Sequence, residues 1–268
     1  MFGSLQTSVV FPGHVTQGQP SAMVDPRPGT ELVKLSTTDG EQIVALFGPA
    51  LTPQGEPDPR AAARPTMLFF YGNGECLNNT LGQFQHFREL GLNVLVPDYV
   101  GYGMSTGPPS EVGCYATADA AYEHLVKRRD VDPHKIVIAG WSLGAAVAVD
   151  LAARKPSSGL ATFSAFTNLV EMSRHAFPLL PAKLLVRYRF DSVTKIGKVS
   201  CPILIGHGRR DLLIPYKMSD RLAAAAGGPV TRVCIENAGH GDLFLVGEET
   251  IDEALVKLLA EIEARPAR

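Results

Sequence analysis

Four short apolar runs stand out in the chain: Met67-Leu68-Phe69-Phe70, Val94-Leu95-Val96, Ile136-Val137-Ile138 and Ile203-Leu204-Ile205. Runs this short and this nearly continuous are what strands buried on both faces look like, as in a parallel sheet covered by helices. Helical stretches are predicted between and after them at 81–90, 116–129, 143–154 and 218–226. A further strand is expected at 232–236 and a last helix at about 248–264. Ahead of the runs, residues 31–36 and 42–47 alternate apolar and polar around Thr38-Asp39-Gly40, a hairpin signal with one face of each strand buried. The expected fold class is therefore α/β, a mostly parallel central sheet with an N-terminal antiparallel hairpin and helices on both faces. Residues 1–30, rich in Pro, Gly, Ser and Gln, read as an irregular leader, and 49–65 as an exposed loop. Residues 31–268 read as a single domain, with no internal repeat.

Composition narrows the functional classes. With 45% hydrophobic and 19% charged residues, the chain suits a globular protein with a sizeable core. A formal net charge of −2 gives no electrostatic reason to expect a nucleic-acid partner. The opening residues lack a basic n-region, and Val9-Val10-Phe11 is cut off by Pro12 and Gly13, so no targeting segment is expected. Phe2 removes the Gly acceptor for myristate, and no apolar run is long enough to span a bilayer. Cys76, Cys114, Cys201 and Cys234 form no Cys-x-x-Cys pair, so free thiols and a reducing, cytoplasmic setting are expected.

Parallel sheets place their ligands at the carboxyl ends of the strands, and the polar motifs fall there. Ile136-Val137-Ile138-Ala139 runs into Gly140-Trp141-Ser142-Leu143-Gly144, and Ala145-Ala146-Val147 continues as a helix. A strand, Gly-x-Ser-x-Gly and a helix is the context in which a serine is lifted on a sharp, strained turn. Side chains at the flanking glycines would collide with strand and helix. The helix N-terminus beneath the hydroxyl favours negative charge. A chance pentapeptide in a chain with 26 glycines is the plain alternative.

A serine hydroxyl needs a neighbouring base, and histidine suits the role because it titrates near working pH. In this context the chain order is nucleophile, acid, histidine. Asp211 follows the run 202–206 in His207-Gly208-Arg209-Arg210-Asp211, and His240 in Asn237-Ala238-Gly239-His240-Gly241-Asp242 is the histidine that comes after it. Asp211 is expected to accept the Nδ1 hydrogen of His240 and fix its tautomer. Asp191 is the runner-up acid. His207 reads as a structural strand-end residue and His175 as a surface or pocket-edge residue. His14, His86, His124 and His134 lack metal-ligand spacing, so no metal is expected.

Acyl transfer also needs donors for a developing alkoxide. One is expected at the backbone N–H of Leu143. The second is expected at Asn73 N–H in Tyr71-Gly72-Asn73-Gly74-Glu75, a turn that a purely structural role would also explain. Gly101-Tyr102-Gly103 is not a dinucleotide fingerprint: the third glycine, Gly107, falls one residue late and no helix opens there.

These segments, together with Asp98-Tyr99-Val100-Gly101-Tyr102-Gly103-Met104-Ser105-Thr106-Gly107 and the stretch from His207 to Pro215, carry a resemblance. From about residue 30 to the end, the chain resembles the α/β-hydrolase family of serine esterases. The resemblance is to the small-lid branch that includes bud-emergence-type hydrolases and eukaryotic protein depalmitoylases. Two departures are Tyr71, where the family usually has His, and Val100, where it often has Arg. Tyr71 bears on how the oxyanion loop packs. The resemblance implies a lid inserted within 163–196. Phe166, Leu169, Phe177 and Leu180 are expected there to wall an acyl pocket from one or two helices, favouring short to medium acyl chains. It implies hydrolysis of carboxylic esters through an acyl-enzyme, with no cofactor. Thioester hydrolysis, protein deacylation or peptidase activity would use the same residues, and a non-enzymatic scaffold is the competing class.

Overall fold

The computed structural model describes residues 2–176 and 181–264. Its strands are β1 (Glu31–Ser36), β2 (Gln42–Gly48), β3 (Thr66–Phe70), β4 (Asn93–Pro97), β5 (Ile136–Trp141), β6 (Gly159–Phe163), β7 (Ile203–Gly208) and β8 (Val230–Ile235). They form a mostly parallel sheet in the order β1-β2-β4-β3-β5-β6-β7-β8. The helices around it are α1 (Phe2–Val10), α2 (Leu81–Glu89), α3 (Glu111–Lys127), α4 (Leu143–Ala152) and α5 (Leu169–Ala176). The remainder are α6 (Ala182–Leu185), α7 (Ser192–Lys195), α8 (Lys217–Ala225), α9 (Leu243–Val246) and α10 (Glu248–Glu263). The chain divides into two compact units, residues 1–138 and 139–268.

In the first unit, β1 and β2 pair antiparallel from Glu31 opposite Phe47 to Ser36 opposite Gln42, as the alternating pattern predicts. β2 also runs antiparallel to β4, and β3 is parallel to β4. Every residue of β3 and β4 is buried, which accounts for their unbroken apolar character. β1 differs from expectation: none of its residues is fully buried, because it is the sheet's edge and has a neighbour on one side only. The helix expected from 116 begins five residues earlier at Glu111. There Ser110 Oγ accepts the Gly113 N–H at 3.0 Å, satisfying a first-turn donor, and Glu111 complements the helix dipole.

The leader is irregular only in part. Residues 2–10 form α1, and two single-turn 3-10 segments follow at Pro12–Thr16 and Pro20–Ala22. Gln17 Nε2 donates to Ser105 O (2.9 Å) and Gly107 O (3.1 Å), Gly18 N donates to Gly103 O, and Phe11 is fully buried. Polar composition hid this because long-range bonds to the 103–107 loop, rather than an apolar stripe, hold the segment.

In the second unit, β6, β7 and β8 pair parallel, with Gly206 opposite both Phe163 and Val233. β6 was absent from the apolar runs because Gly159, Ala161 and Thr162 interrupt its large side chains. All ten residues of α4 are buried, as an apolar helix requires. Its one charge, Asp150, is paired with Arg154 and with Lys195 of α7, each at 2.7 Å. The described residues of the 163–196 segment form three short helices, α5 to α7, where one or two are expected.

Leu204 is the second residue of β7 and has no exposed surface. Leu204→Ala is expected to destabilise the protein by about 2–5 kcal/mol through lost transfer energy and a residual cavity. The check is a lowered urea midpoint with an unchanged m value.

Candidate active site

β5 ends at Trp141, and the chain reverses at Ser142 with φ 57° and ψ −118° before α4 begins. A positive φ in a non-glycine residue is strained and persists only where its surroundings fix it. Here Ser142 N–H donates to Phe163 O at 2.9 Å, tying the turn to β6. Gly140 shows why a side chain is excluded next to the serine: a Cβ there would lie 2.2 Å from the Gly144 carbonyl oxygen. As the first residue of α4, Leu143 has an N–H with no intrahelical acceptor.

The turn after β7 brings Asp211 into position. Asp211 Oδ1 accepts the N–H groups of Leu213 (2.9 Å) and Ile214 (2.7 Å). Arg210 N donates to Ala238 O, and Gly208 leaves room for the Ala238 carbonyl, so the acid turn and the 237–242 loop lie side by side. His240 Nδ1 then donates to Asp211 Oδ2 at 2.8 Å, and the Ser142 hydroxyl donates to His240 Nε2 at 3.0 Å. The tautomer follows from the partners, since a carboxylate can only accept. Ser142, Asp211 and His240 are thus united in one hydrogen-bonded chain.

Asp211 is 6% exposed. Burial alone would raise its carboxyl. Hydrogen bonds from His207, His240 and Ile214 N, with the charge His240 can carry, reverse this and hold it well below the ordinary carboxylate range. His207, read from sequence as a strand-end residue, is fully buried at the end of β7. Its Nε2–H donates to Ile214 O at 2.9 Å and lies 3.4 Å from Asp211 Oδ2, so it braces the acid as well as the strand end. Asp191 occupies the N-cap position of α7 and is not the carboxylate that meets the imidazole. His175 is exposed at the end of α5.

Apolar residues at the triad were missed by the motif reading. Trp141 stacks on His240, with ring centroids 5.1 Å apart and planes 30° apart. Phe244 meets Trp141 edge-on, and Phe163 meets Phe244 in the same way. Trp141 stands inside the Gly-x-Ser-x-Gly motif, but nothing in that pattern says which way its x residue faces. Of the expected pocket residues, Phe166 is buried just after β6 and Leu169 opens α5 half-buried. Phe177 and Leu180 lie outside the described residues. Beside α5 the structure has a cavity of about 320 Å³ lined by Asn168, Val170, Glu171, Arg174, Arg189 and Asp191.

In the first unit, the loop after β3 carries Asn73. Its carbonyl accepts from Gly13 N (2.9 Å) and Tyr102 OH (3.0 Å), and its amide donates to Val10 O, contacts that leave the backbone N–H uncommitted. Tyr71, the departure from the family pattern, is fully buried and donates its hydroxyl to Asp98 Oδ1 at 2.8 Å. Asp98 also accepts Leu77 N (2.7 Å) and Met104 N (2.9 Å), so one carboxyl ties the 71–77 loop to the 98–107 loop. Gly103 makes that possible: it has φ +49°, and a Cβ would lie 2.1 Å from Asp98 Oδ2. Val100 N donates to Thr117 Oγ1, so its loop is held by α3. Burial pushes the Asp98 carboxyl up to about 6, against the pull of its three hydrogen bonds.

Among the described residues no His, Cys, Asp and Glu cluster could hold a metal ion, and no helix is long and apolar enough to cross a membrane. The four cysteines are free thiols, three of them buried.

Residues 65–184 match the family model described as alpha/beta hydrolase fold. Human alpha/beta hydrolase domain-containing protein 17B is 35% identical over 191 residues, 69% of this chain and 64% of that protein. An uncharacterized protein of Mycobacterium tuberculosis is 41% identical over 172 residues, 64% of this chain and 61% of that one. The chain therefore spans less than two thirds of the length of these relatives. Among solved structures, the Pyrococcus furiosus esterase Pf2001 superposes with a TM-score of 0.68 at 17% identity, covering 87% of this chain and 92% of that one. Est1E from Butyrivibrio proteoclasticus gives 0.67 at 19% identity, covering 87% and 99%. At such identities the likeness is one of fold.

The Asp98 carboxyl has an ordinary value of 3.8 and a folded value of about 6. Between them the folded chain binds a proton that the unfolded chain has released, so this group makes stability fall as pH rises from about 4 to about 6. Asp98→Asn is expected to remove that descent, whatever its overall cost. Urea midpoints at several pH values check it, and an unchanged slope in the variant would assign the descent elsewhere.

Proposed function

We propose that this chain, which has the α/β-hydrolase fold, is a serine hydrolase that cleaves carboxylic esters through an acyl-enzyme. The observation that carries this reading is the Ser142–His240–Asp211 chain, at 3.0 and 2.8 Å, on a serine with positive φ at a helix N-terminus. Ser142 Oγ attacks the ester carbonyl as its proton passes to His240 Nε2, and the Nδ1–H bond to Asp211 steadies the imidazolium. The tetrahedral alkoxide is met by the Leu143 N–H at the start of α4. Collapse breaks the bond to the leaving alcohol, which takes the proton from Nε2. Water, deprotonated by His240, then attacks the acyl group, and the carboxylic acid leaves as Ser142 recovers its proton.

Residues of the 163–196 segment, Phe166 and Leu169 among them, form the acyl side of the site in this reading. Three short helices make a small lid, which suits short to medium acyl chains. A cytoplasmic setting accords with free, buried thiols. Burial pushes the Cys114 thiol far up, leaving it unreactive.

A fluorophosphonate probe is expected to label the protein at Ser142, with labelling lost in Ser142→Ala. Asp211→Asn, which permits the wrong tautomer, is expected to lower kcat by about 10⁴-fold, the size of the corresponding loss in serine proteases. Folded protein that takes no label would leave the scaffold class standing. A panel of nitrophenyl esters, thioesters and anilides of graded length completes the test. A steady rise in activity from butyrate to palmitate would overturn the chain-length reading, and a preference for thioesters would replace the ester assignment.

A further inference from the structure

Trp141 is the chain's single tryptophan, and it sits beside the nucleophile with its ring laid over the imidazole of His240. The strand end explains the placement. β5 stops at Trp141, and the reversal at Ser142 turns the two neighbouring side chains toward the same loop, residues 237–242. The indole is in turn held by Phe244 and, through it, by Phe163, so the stack runs from buried β6 to the base. One feature argues against packing as the sole reason for this residue type. The indole Nε1–H is buried and has no hydrogen-bond partner. A phenylalanine would fill an apolar shelf without stranding a donor. What the site uses is the broad, electron-rich face.

We infer that Trp141 is a positioning residue for His240, resisting tilt of the imidazole out of plane and stabilising the imidazolium formed during each proton transfer. The inference rests on the serine-hydrolase reading above. Stacked rings slide over one another easily but separate or tilt at a cost. That is the freedom a base needs when it takes a proton from Ser142 and returns it to a leaving group nearby. The indole face also attracts a cation, most strongly when the pair is shielded from water. The other titratable groups around the imidazole are few. Asp211 lies on its Nδ1 side, braced by His207. Asp242, in its own loop, accepts Gly239 N, while Arg209 and Glu236 pair with each other at the neighbouring strand ends. Arg210 is exposed on the acid turn. None of these lies in the stack, so the ring contact can be varied separately.

Trp141→Leu keeps an apolar filler and removes the face. It is expected to lose about tenfold in kcat with KM within about twofold, the size of one shielded cation–π contact. Trp141→Phe restores a face and is expected to return kcat to within about threefold of the parent. The single tryptophan supplies a second readout that needs no substrate. Its emission is expected to fall as the imidazole beneath it takes up a proton, because an imidazolium in contact accepts charge from the excited indole. His240→Gln is expected to abolish that transition. Full kcat in Trp141→Leu, a native emission that does not respond to pH, or a response that survives in His240→Gln would each overturn the inference. If the leucine variant does not fold, the emission experiment decides. A protein that takes no fluorophosphonate yet keeps the His240-dependent transition would refute the proposed function and leave the stack standing.

Discussion

The backbone reversal at Ser142 is the constraint from which the chemistry of the second unit follows. A non-glycine residue at φ 57° carries strain of about 1–3 kcal/mol, so the turn exists only because its surroundings leave no easier path. Those surroundings are specific. Gly140 has no Cβ to strike the Gly144 carbonyl, Ser142 N–H is fixed to Phe163 O, and α4 is buried along its whole length. Relaxing the turn would require moving a buried helix away from a buried strand. The same rigidity sets the serine hydroxyl at the head of α4 and the Trp141 ring beside it, leaving the 237–242 loop to bring His240 to both.

Strand register delivers the rest. β7 and β8 run parallel with His207 opposite Cys234 and Gly208 opposite Ile235, so the two chains leave the sheet together. The acid turn and the histidine loop then touch through Arg210 N and the Ala238 carbonyl. A displacement of one residue in either strand would turn side chains to the opposite face and carry Asp211 away from His240. The triad is therefore a product of sheet pairing as much as of its own three side chains.

Much of this was legible in the sequence, and the legible parts share a cause. Continuous apolar runs announce strands buried on both faces, and the glycines at 140 and 144 announce a turn with no room for side chains. Both are local consequences of local residues. Ser142 and Asp211 could be chosen because each follows such a run, and His240 because it is the histidine that follows Asp211 in the required order. What could not be read depends on partners distant in the chain. Residues 16–18 are tied to Gly103, Ser105 and Gly107, some ninety positions away for Gln17, and Val10 and Gly13 are tied to Asn73. β6 escaped notice because small residues fill it, and α3 began early because Ser110 caps it. The stacking of Trp141 on His240 lay inside a recognised motif, but its x position is free by definition.

Two buried aspartates show how one residue type is driven to opposite ends of its range. Asp98 and Asp211 are both nearly inaccessible, and each accepts backbone N–H groups and a side-chain donor. Burial pushes both carboxyls up, and hydrogen bonding pulls both down. The difference lies in burial, which is deeper at Asp98, and in the side-chain donors. Asp98 receives a tyrosine hydroxyl, a neutral group whose own proton burial makes harder to remove. Asp211 receives two imidazole N–H groups, from His240 and His207. A carboxyl among neutral donors keeps its proton into mildly acidic pH and works as a clasp between two loops. The Asp211 carboxyl, held low by imidazole and backbone donors, stays ionised where Asp98 has already taken up its proton. Tyr71 therefore belongs to the clasp: a neutral, buried donor on Asp98 holds its loop without adding a charge of its own.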